Sequence, residues 1–232
     1  MLNKILDFVY PKRCAVCDGA LDKNEFGICM ECKKKIKYIE GKLCFKCGRP
    51  TEDSKDYCRE CAGHTHVFDA GRSVFSYETI GESIYRFKYM NRPEYAGFYA
   101  EVIATELKYW IEALEADGII PVPLHKNRLK SRGYNQAELI SRELSKRINV
   151  PVYSDVILRK KDTIPQKKCD KNQRIINMKK AFIVNKNGVK LEKVIVVDDI
   201  FTTGSTIDSM ASELRKSGVE KIYFITVSAA ET

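Results

Sequence analysis

Hydrophobic and polar positions along this chain fall into strand-like and helix-like blocks that follow one another. Val194 to Val197 is an unbroken run of four apolar β-branched residues. A run of that kind fits a strand buried on both faces, as in a parallel sheet. Just beyond it, Ile207, Met210, Ala211 and Leu214 recur at helical spacing. Ile119 to Val122 predicts a second short strand, closed by Pro123, and the stretch from Gln136 (QAELISRELSKRI) is again helical in period. Val67 to Tyr77 alternates enough to predict strands or a hairpin. Ile84 to Trp110 has helical periodicity with a break at Arg92-Pro93, because proline ends or kinks a helix. Two strand–loop–helix units in one chain predict an α/β architecture.

Two stretches depart from this pattern. Leu158 to Phe182 is rich in Lys and Arg and weak in apolar periodicity. It predicts a long, mobile loop, and loops of that length in compact domains are usually functional or disordered. The first 66 residues are polar and cysteine-rich. Within them, Leu2, Ile5, Leu6 and Val9 share one helical face, which predicts a short amphipathic helix. It is too short to span a bilayer, no run near 18 apolar residues exists elsewhere, and no small-residue cleavage site follows it. A cytoplasmic location without membrane insertion is expected. At 232 residues the chain has room for one full domain and a small one, read as residues 67–232 and 1–66.

Eight of the nine cysteines form four CxxC pairs: Cys14/Cys17, Cys29/Cys32, Cys44/Cys47 and Cys58/Cys61. Intervals of 11, 11 and 10 residues make this a unit repeated with a period near 30, and Gly19 and Gly48 follow the first pair of each unit. A glycine there is expected to let backbone amides turn toward sulfur. Two such knuckles supply four thiolates to one closed tetrahedral zinc site, so two structural zinc ions are expected. Disulfides fit poorly with a cytoplasmic chain, and a redox CxxC is normally single. Iron–sulfur ligation is a weaker fit to paired, equal units. The repeat favours pairing consecutive knuckles and leaves cross-braced pairing open. His64 and His66 read as linker residues, since eight cysteines complete two sites. So small and polar a segment folds on metal-binding energy. Cys44→Ser is expected to unfold it and leave the larger domain folded. Cys169 has no partner and reads as incidental.

Charge adds a smaller constraint. Forty basic and 31 acidic residues give +9, or about +5 with eight thiolates on two zinc ions. That excess permits binding to nucleic acid or to anionic substrates. Lys33, Lys34, Lys35 and Lys37 form one basic run, and Lys126, Arg128, Lys130 and Arg132 lie in a loop after the Ile119–Val122 strand. Ligands of open α/β sheets bind at the carboxyl ends of strands, so the second cluster is placed to meet a pyrophosphate.

The most specific chemistry follows the Val194 run. Asp198 and Asp199 come at once, then Thr202, Thr203, Gly204, Ser205 and Thr206, then the helix. Loop amides and hydroxyls at a helix N-terminus suit a phosphate monoester. The acids can accept hydrogen bonds from vicinal hydroxyls. A ribose 5-phosphate satisfies both halves.

The stretch VIVVDDIFTTGST resembles the phosphoribosyl-pyrophosphate (PRPP) loop of type I phosphoribosyltransferases. Together with FKYMNRP, PVPLHKNRLKSRGYNQAELI and DTIPQ…QRIINMKKAF, it makes the whole chain resemble the ComF family of competence-associated proteins. The resemblance implies a type I phosphoribosyltransferase fold, a mostly parallel twisted sheet flanked by helices, behind a double zinc ribbon. It implies Asp198 and Asp199 as catalytic acids on the ribose and residues 202–206 as the 5′-phosphate cradle. Arg128, Lys130, Arg132, Lys167, Lys168 and Arg174 are implied at the pyrophosphate, with magnesium bound alongside PRPP. It further implies a glycosyltransferase reaction with an unassigned acceptor, single-stranded DNA as a partner in natural transformation, and a competence DNA translocase or helicase nearby. The alternative is a non-catalytic PRPP sensor or nucleic-acid-binding module. The phosphoribosyltransferase half is also similar to that of glutamine PRPP amidotransferase. That enzyme opens on a nucleophilic cysteine where this chain has Met1-Leu2-Asn3, so ammonia transfer from glutamine is not expected.

Overall fold

A computed structural model describes residues 12–159, 181–185 and 190–230. The amphipathic stretch Leu2–Val9 and residues Lys167, Lys168, Cys169 and Arg174 lie outside the described residues. Four strands, β1 (Ala70–Ser76), β2 (Gly118–Pro121), β5 (Lys193–Phe201) and β6 (Lys221–Ala229), form one parallel sheet in the order β1–β6–β5–β2. Of the strands or hairpin expected at 67–77, the structure has a single strand. Its partner, β6, comes from the far end of the described chain, a pairing no local pattern reveals. The short strands β3 (Ile157–Arg159) and β4 (Phe182–Val184) pair antiparallel and bracket the long basic segment.

The apolar run of β5 is buried on both faces because alternate side chains enter different cores. Val194 and Val196 join Ile120, Ile222 and Phe224 on one side, while Ile195 and Val197 join Ile119, Ile225 and Val227 on the other. The first core is closed by Ile207, Met210, Ala211 and Leu214 of α8 (Ser205–Lys216), the residues whose spacing predicts that helix. The second is closed by α3 (Tyr77–Tyr89), α4 (Tyr95–Glu106), α5 (Lys108–Leu114) and α7 (Gln136–Ile148). The helical break falls at Met90–Glu94, as Pro93 predicts, and a second break falls at Leu107. The basic stretch after β2 is a short exposed helix, α6 (Lys126–Arg132), rather than a loop. It buries no residue, so it carries no apolar period. His125 caps its start by accepting from the Asn127 amide, and left-handed Gly133 ends it.

The cysteine-rich region clasps the sheet. Ala15 and Ile36 of the first ribbon belong to one core, and Cys44 and Cys47 of the second belong to the other. The segment joining the ribbons crosses the open edge of β1: Tyr38 bridges Phe75, and the Ile39 amide donates to the Val74 carbonyl at 2.8 Å. An uncovered edge strand is a template for unwanted pairing, and this crossing covers it. The second ribbon sits closest. A Cβ built on Gly48 would lie 2.4 Å from the Gly71 carbonyl oxygen. The expectation that Cys44→Ser spares the larger domain does not fit this packing, since Cys44 shares a buried cluster with Phe68, Phe201 and Phe224.

Candidate functional site

The cysteines gather as consecutive pairs, Cys14, Cys17, Cys29 and Cys32 in one group and Cys44, Cys47, Cys58 and Cys61 in the other. The Cys17 and Cys29 sulfurs are 3.9 Å apart and those of Cys47 and Cys58 are 3.6 Å apart. A tetrahedral zinc with Zn–S near 2.3 Å places its sulfurs about 3.8 Å apart, so both donor sets fit that ion. Burial and neighbouring sulfurs push Cys47 up to about 12 and hold Cys32 and Cys61 above the usual thiol range. Burial opposes ionisation of Cys44 too, but the backbone amides of Cys47, Cys58 and Lys46 outweigh it and bring it down to about 7. Four crowded thiols resist ionising together, and a divalent cation removes that resistance. The expected role of Gly19 does not hold. The left-handed residue of the first knuckle is Asp18 (φ 64°), matching Gly48 (φ 72°) in the second. Asp18 docks its ribbon as well, pairing with Arg92 at 2.8 Å and accepting from the Tyr95 hydroxyl at 2.6 Å. Arg92, through its hydrogen bond and charge, holds the Asp18 carboxyl below the usual carboxylate range.

At the carboxyl end of β5 the acid pair and the hydroxyl-rich loop stand together. The Asp199 amide donates to the Asp198 carboxylate at 2.8 Å, and Asp199 is paired with Lys88 of α3 at 2.7 Å. Burial, then the charge of Asp199 beside it, pushes Asp198 up to about 7, with Lys88 pulling the other way. Lys88 lies within the FKYMNRP stretch, which was the available signal, but its spacing alone assigns it no role. Thr203 and Ser205 hydroxyls hydrogen-bond at 2.7 Å across Gly204, which is left-handed at φ 77°. Gly204 turns the chain directly into α8, whose first amides have no intrahelical partner. A rigid loop, polar hydroxyls and a 12-residue helix N-terminus therefore share one end of the sheet with two carboxylates.

The basic residues divide. β2 lies beside β5, so α6, which follows β2, opens at the same sheet end. Lys130 is exposed and Arg128 half-buried on it. Arg132 is engaged already, donating to Gln136 at 3.0 Å and to the Tyr89 hydroxyl at 3.1 Å. Arg159 on β3 lies near enough to lower the Asp198 carboxyl. His64 and His66 converge on Asp208, with His66 Nδ1 2.8 Å from its carboxylate. Among the described residues, no helix is long and apolar enough to cross a membrane.

The family model of a double zinc ribbon domain matches residues 5–62, and that of a phosphoribosyl transferase domain matches residues 129–231. Competence protein F of Haemophilus influenzae is 34% identical over 218 residues, covering 90% of this chain and 93% of that protein. Competence protein ComFC of Bacillus subtilis is 28% identical over 237 residues, covering 94% and 95%. DNA utilization protein YhgH of Escherichia coli K12 is 27% identical over 216 residues, covering 91% and 94%.

Proposed function

This chain belongs to the ComF family, which joins a double zinc ribbon to a phosphoribosyltransferase domain, and on that premise we propose that it binds PRPP with magnesium and transfers the phosphoribosyl group. The observation that carries the reading is the juxtaposition of Asp198 and Asp199 with the Thr203–Gly204–Ser205 turn at the head of α8. Residues 202–206 hold the 5′-phosphate with loop amides and hydroxyls. Asp198 and Asp199 accept from the ribose hydroxyls and stabilise the positive charge that grows on the sugar as pyrophosphate leaves. Arg128, Lys130 and Arg132 meet the pyrophosphate from α6, together with Lys167, Lys168 and Arg174. Magnesium, when bound with PRPP, neutralises phosphate charge. The eight CxxC cysteines hold two structural zinc ions. Residues 1–66 act as the ribbon unit and 67–232 as the transferase unit, in the cytoplasm. Titration calorimetry with PRPP and magnesium, followed by assay of pyrophosphate release with free bases and single-stranded DNA, tests the proposal. Binding without release supports the sensor alternative, and no binding overturns the reading.

The acid pair makes the binding pH-dependent. Asp198 accepts most strongly from a hydroxyl as the carboxylate. Because its folded value is raised to about 7, PRPP affinity is expected to rise as pH increases from 6 to 8. Asp198→Asn should flatten that part of the profile. An unchanged profile in this variant would assign the dependence to the ligand phosphates alone.

The relatives' names concern competence and DNA utilization, and we extend the reading to single-stranded DNA handled beside a DNA translocase or helicase. Lys33, Lys34 and Lys35 line the last turn of α1 (Met30–Lys35), and exposed Lys126 and Lys130 line α6. Phosphate-dominated binding weakens steeply with salt. Fluorescence anisotropy with a labelled oligonucleotide is expected to show such binding. Competition by PRPP would place it on the α6 side, and its loss on ribbon deletion would place it on the ribbons. No binding at low salt would rule out direct DNA contact.

A further inference from the structure

We propose that the second zinc ribbon is a working part of the phosphate loop, with Arg49 and His66 as positioning residues that tie loop geometry to metal occupancy at Cys44, Cys47, Cys58 and Cys61. This inference rests on the PRPP reading of the site and adds to it a coupling between two ligands.

The contacts run in one chain from sulfur to loop. Arg49 lies two residues after Cys47 and is only 5% exposed. Its guanidinium pairs with Glu60 at 2.8 Å, and Glu60 sits between Cys58 and Cys61. The same guanidinium donates to the Thr202 carbonyl, the first residue of the loop, and lies 4.9 Å from the Phe201 ring centroid. Phe201 in turn stacks on Phe224 of the central strand at 4.5 Å. A planar, forked donor is suited to hold a carboxylate, a carbonyl and a ring face at once, which a lysine cannot do.

A second strut leaves the ribbon just past Cys61. The His66 ring stacks on Phe68 at 4.6 Å and bonds Asp208 through Nδ1 at 2.8 Å. The other Asp208 oxygen accepts from the Val67 amide at 2.7 Å. Asp208 belongs to the first turn of α8, and its own amide bonds the Gly204 carbonyl at 2.8 Å. The His66 ring lies directly beneath the loop glycine: a Cβ on Gly204 would stand 3.0 Å from His66 Cε1. The loop thus rests between Arg49 at its start and the His66–Asp208 pair at its end. Arg49 and Glu60 lie among the four cysteines whose fit to zinc is described above, and His66 follows Cys61 by five residues. Among the described residues the first ribbon shows no such path to the loop; its Asp18 holds Arg92 and Tyr95 instead.

Coupling between two binding sites is reciprocal. If zinc at the second ribbon orders the loop and so favours PRPP, then PRPP on the loop must raise the affinity for that zinc by the same factor. The test uses the full chain loaded with zinc, a colorimetric chelator, and PRPP with magnesium. In the parent, PRPP is expected to raise the chelator concentration needed at equilibrium to remove one of the two zinc ions and to leave the other unchanged. Arg49→Ala should retain two zinc ions and its fold, bind PRPP about tenfold more weakly, and lose the protection. Arg49→Lys, which keeps the charge without the fork, should recover little of either. Should Arg49→Ala fail to fold, Glu60→Gln is the milder variant and should weaken the protection. The Asp198→Ala/Asp199→Ala chain controls for direct effects of PRPP on the chelator. Unaltered PRPP affinity in folded Arg49→Ala, or zinc release indifferent to PRPP that the parent binds, overturns the coupling. A parent that binds no PRPP overturns instead the reading on which the coupling rests.

Discussion

Cys44→Ser is expected to lose one of two zinc ions and to lower the melting temperature of the whole chain, not of the cysteine-rich region alone. Cys44 and Cys47 are fully buried in the core that also contains Phe68, Phe201, Phe224 and the apolar face of α8. Structural zinc contributes about 10–16 kcal/mol of binding energy to a small metal-dependent fold. The net stability of an ordinary domain is only about 5–15 kcal/mol. Losing the metal at this position therefore competes with the stability of the entire sheet. The measurement is zinc content beside thermal unfolding followed by both far- and near-ultraviolet circular dichroism. Two zinc equivalents in the variant, or a sheet that melts at the parent temperature, would show the second ribbon to be an independent appendage.

Asp198→Ala combined with Asp199→Ala should weaken PRPP binding by at least about 100-fold, taking about 1.5–3 kcal/mol for each hydrogen bond to a charged group. Stability should move the other way for the Asp198 component. A carboxyl whose folded value is raised to about 7 holds its proton longer in the folded state than in the unfolded one. It thus costs stability progressively from about pH 4, the unfolded value, to pH 7, and the full cost persists above that. Removing it relieves that cost at pH 8, while loss of Asp199 leaves Lys88 without its partner at 2.7 Å and offsets part of the gain. Calorimetry and thermal melts on one sample separate the two effects. A double variant that binds PRPP like the parent would falsify the site assignment.

What was legible in the sequence is what depends on near neighbours. The Val194–Val197 strand, the acids, the turn and the apolar stripe of α8 are contiguous, and each residue constrains the next. The consecutive grouping of cysteines follows from the repeat. The rest depends on residues brought from afar. Lys88 reaches Asp199 from a helix on the opposite side of the sheet from α8, and Arg49 reaches Thr202 across 153 positions. His66 reads as linker because its partner, Asp208, is 142 positions away. Position-by-type rules also erred locally. Gly19, expected to let backbone amides turn toward sulfur, is not the left-handed residue of the first knuckle; aspartate tolerates that conformation too, and Asp18 takes it. The helix α6 escaped notice because a short helix that buries no residue leaves no hydrophobic period to read.

The order in which the chain leaves the ribosome gives the sheet topology a further consequence. β6, the last strand in sequence, is inserted between β1 and β5. Until it emerges, β1 lacks its neighbouring strand and cannot join the sheet through β5. The cysteine-rich region, made before β1, spends most of the sheet's synthesis attached to a strand that waits. Its crossing at Tyr38 and Ile39 covers the outer edge of β1, while the edge that receives β6 stays open until that strand emerges. Without metal to fold the cysteine-rich region the outer edge would be open as well, so zinc shortage during translation is expected to cost more soluble protein than zinc removal after it.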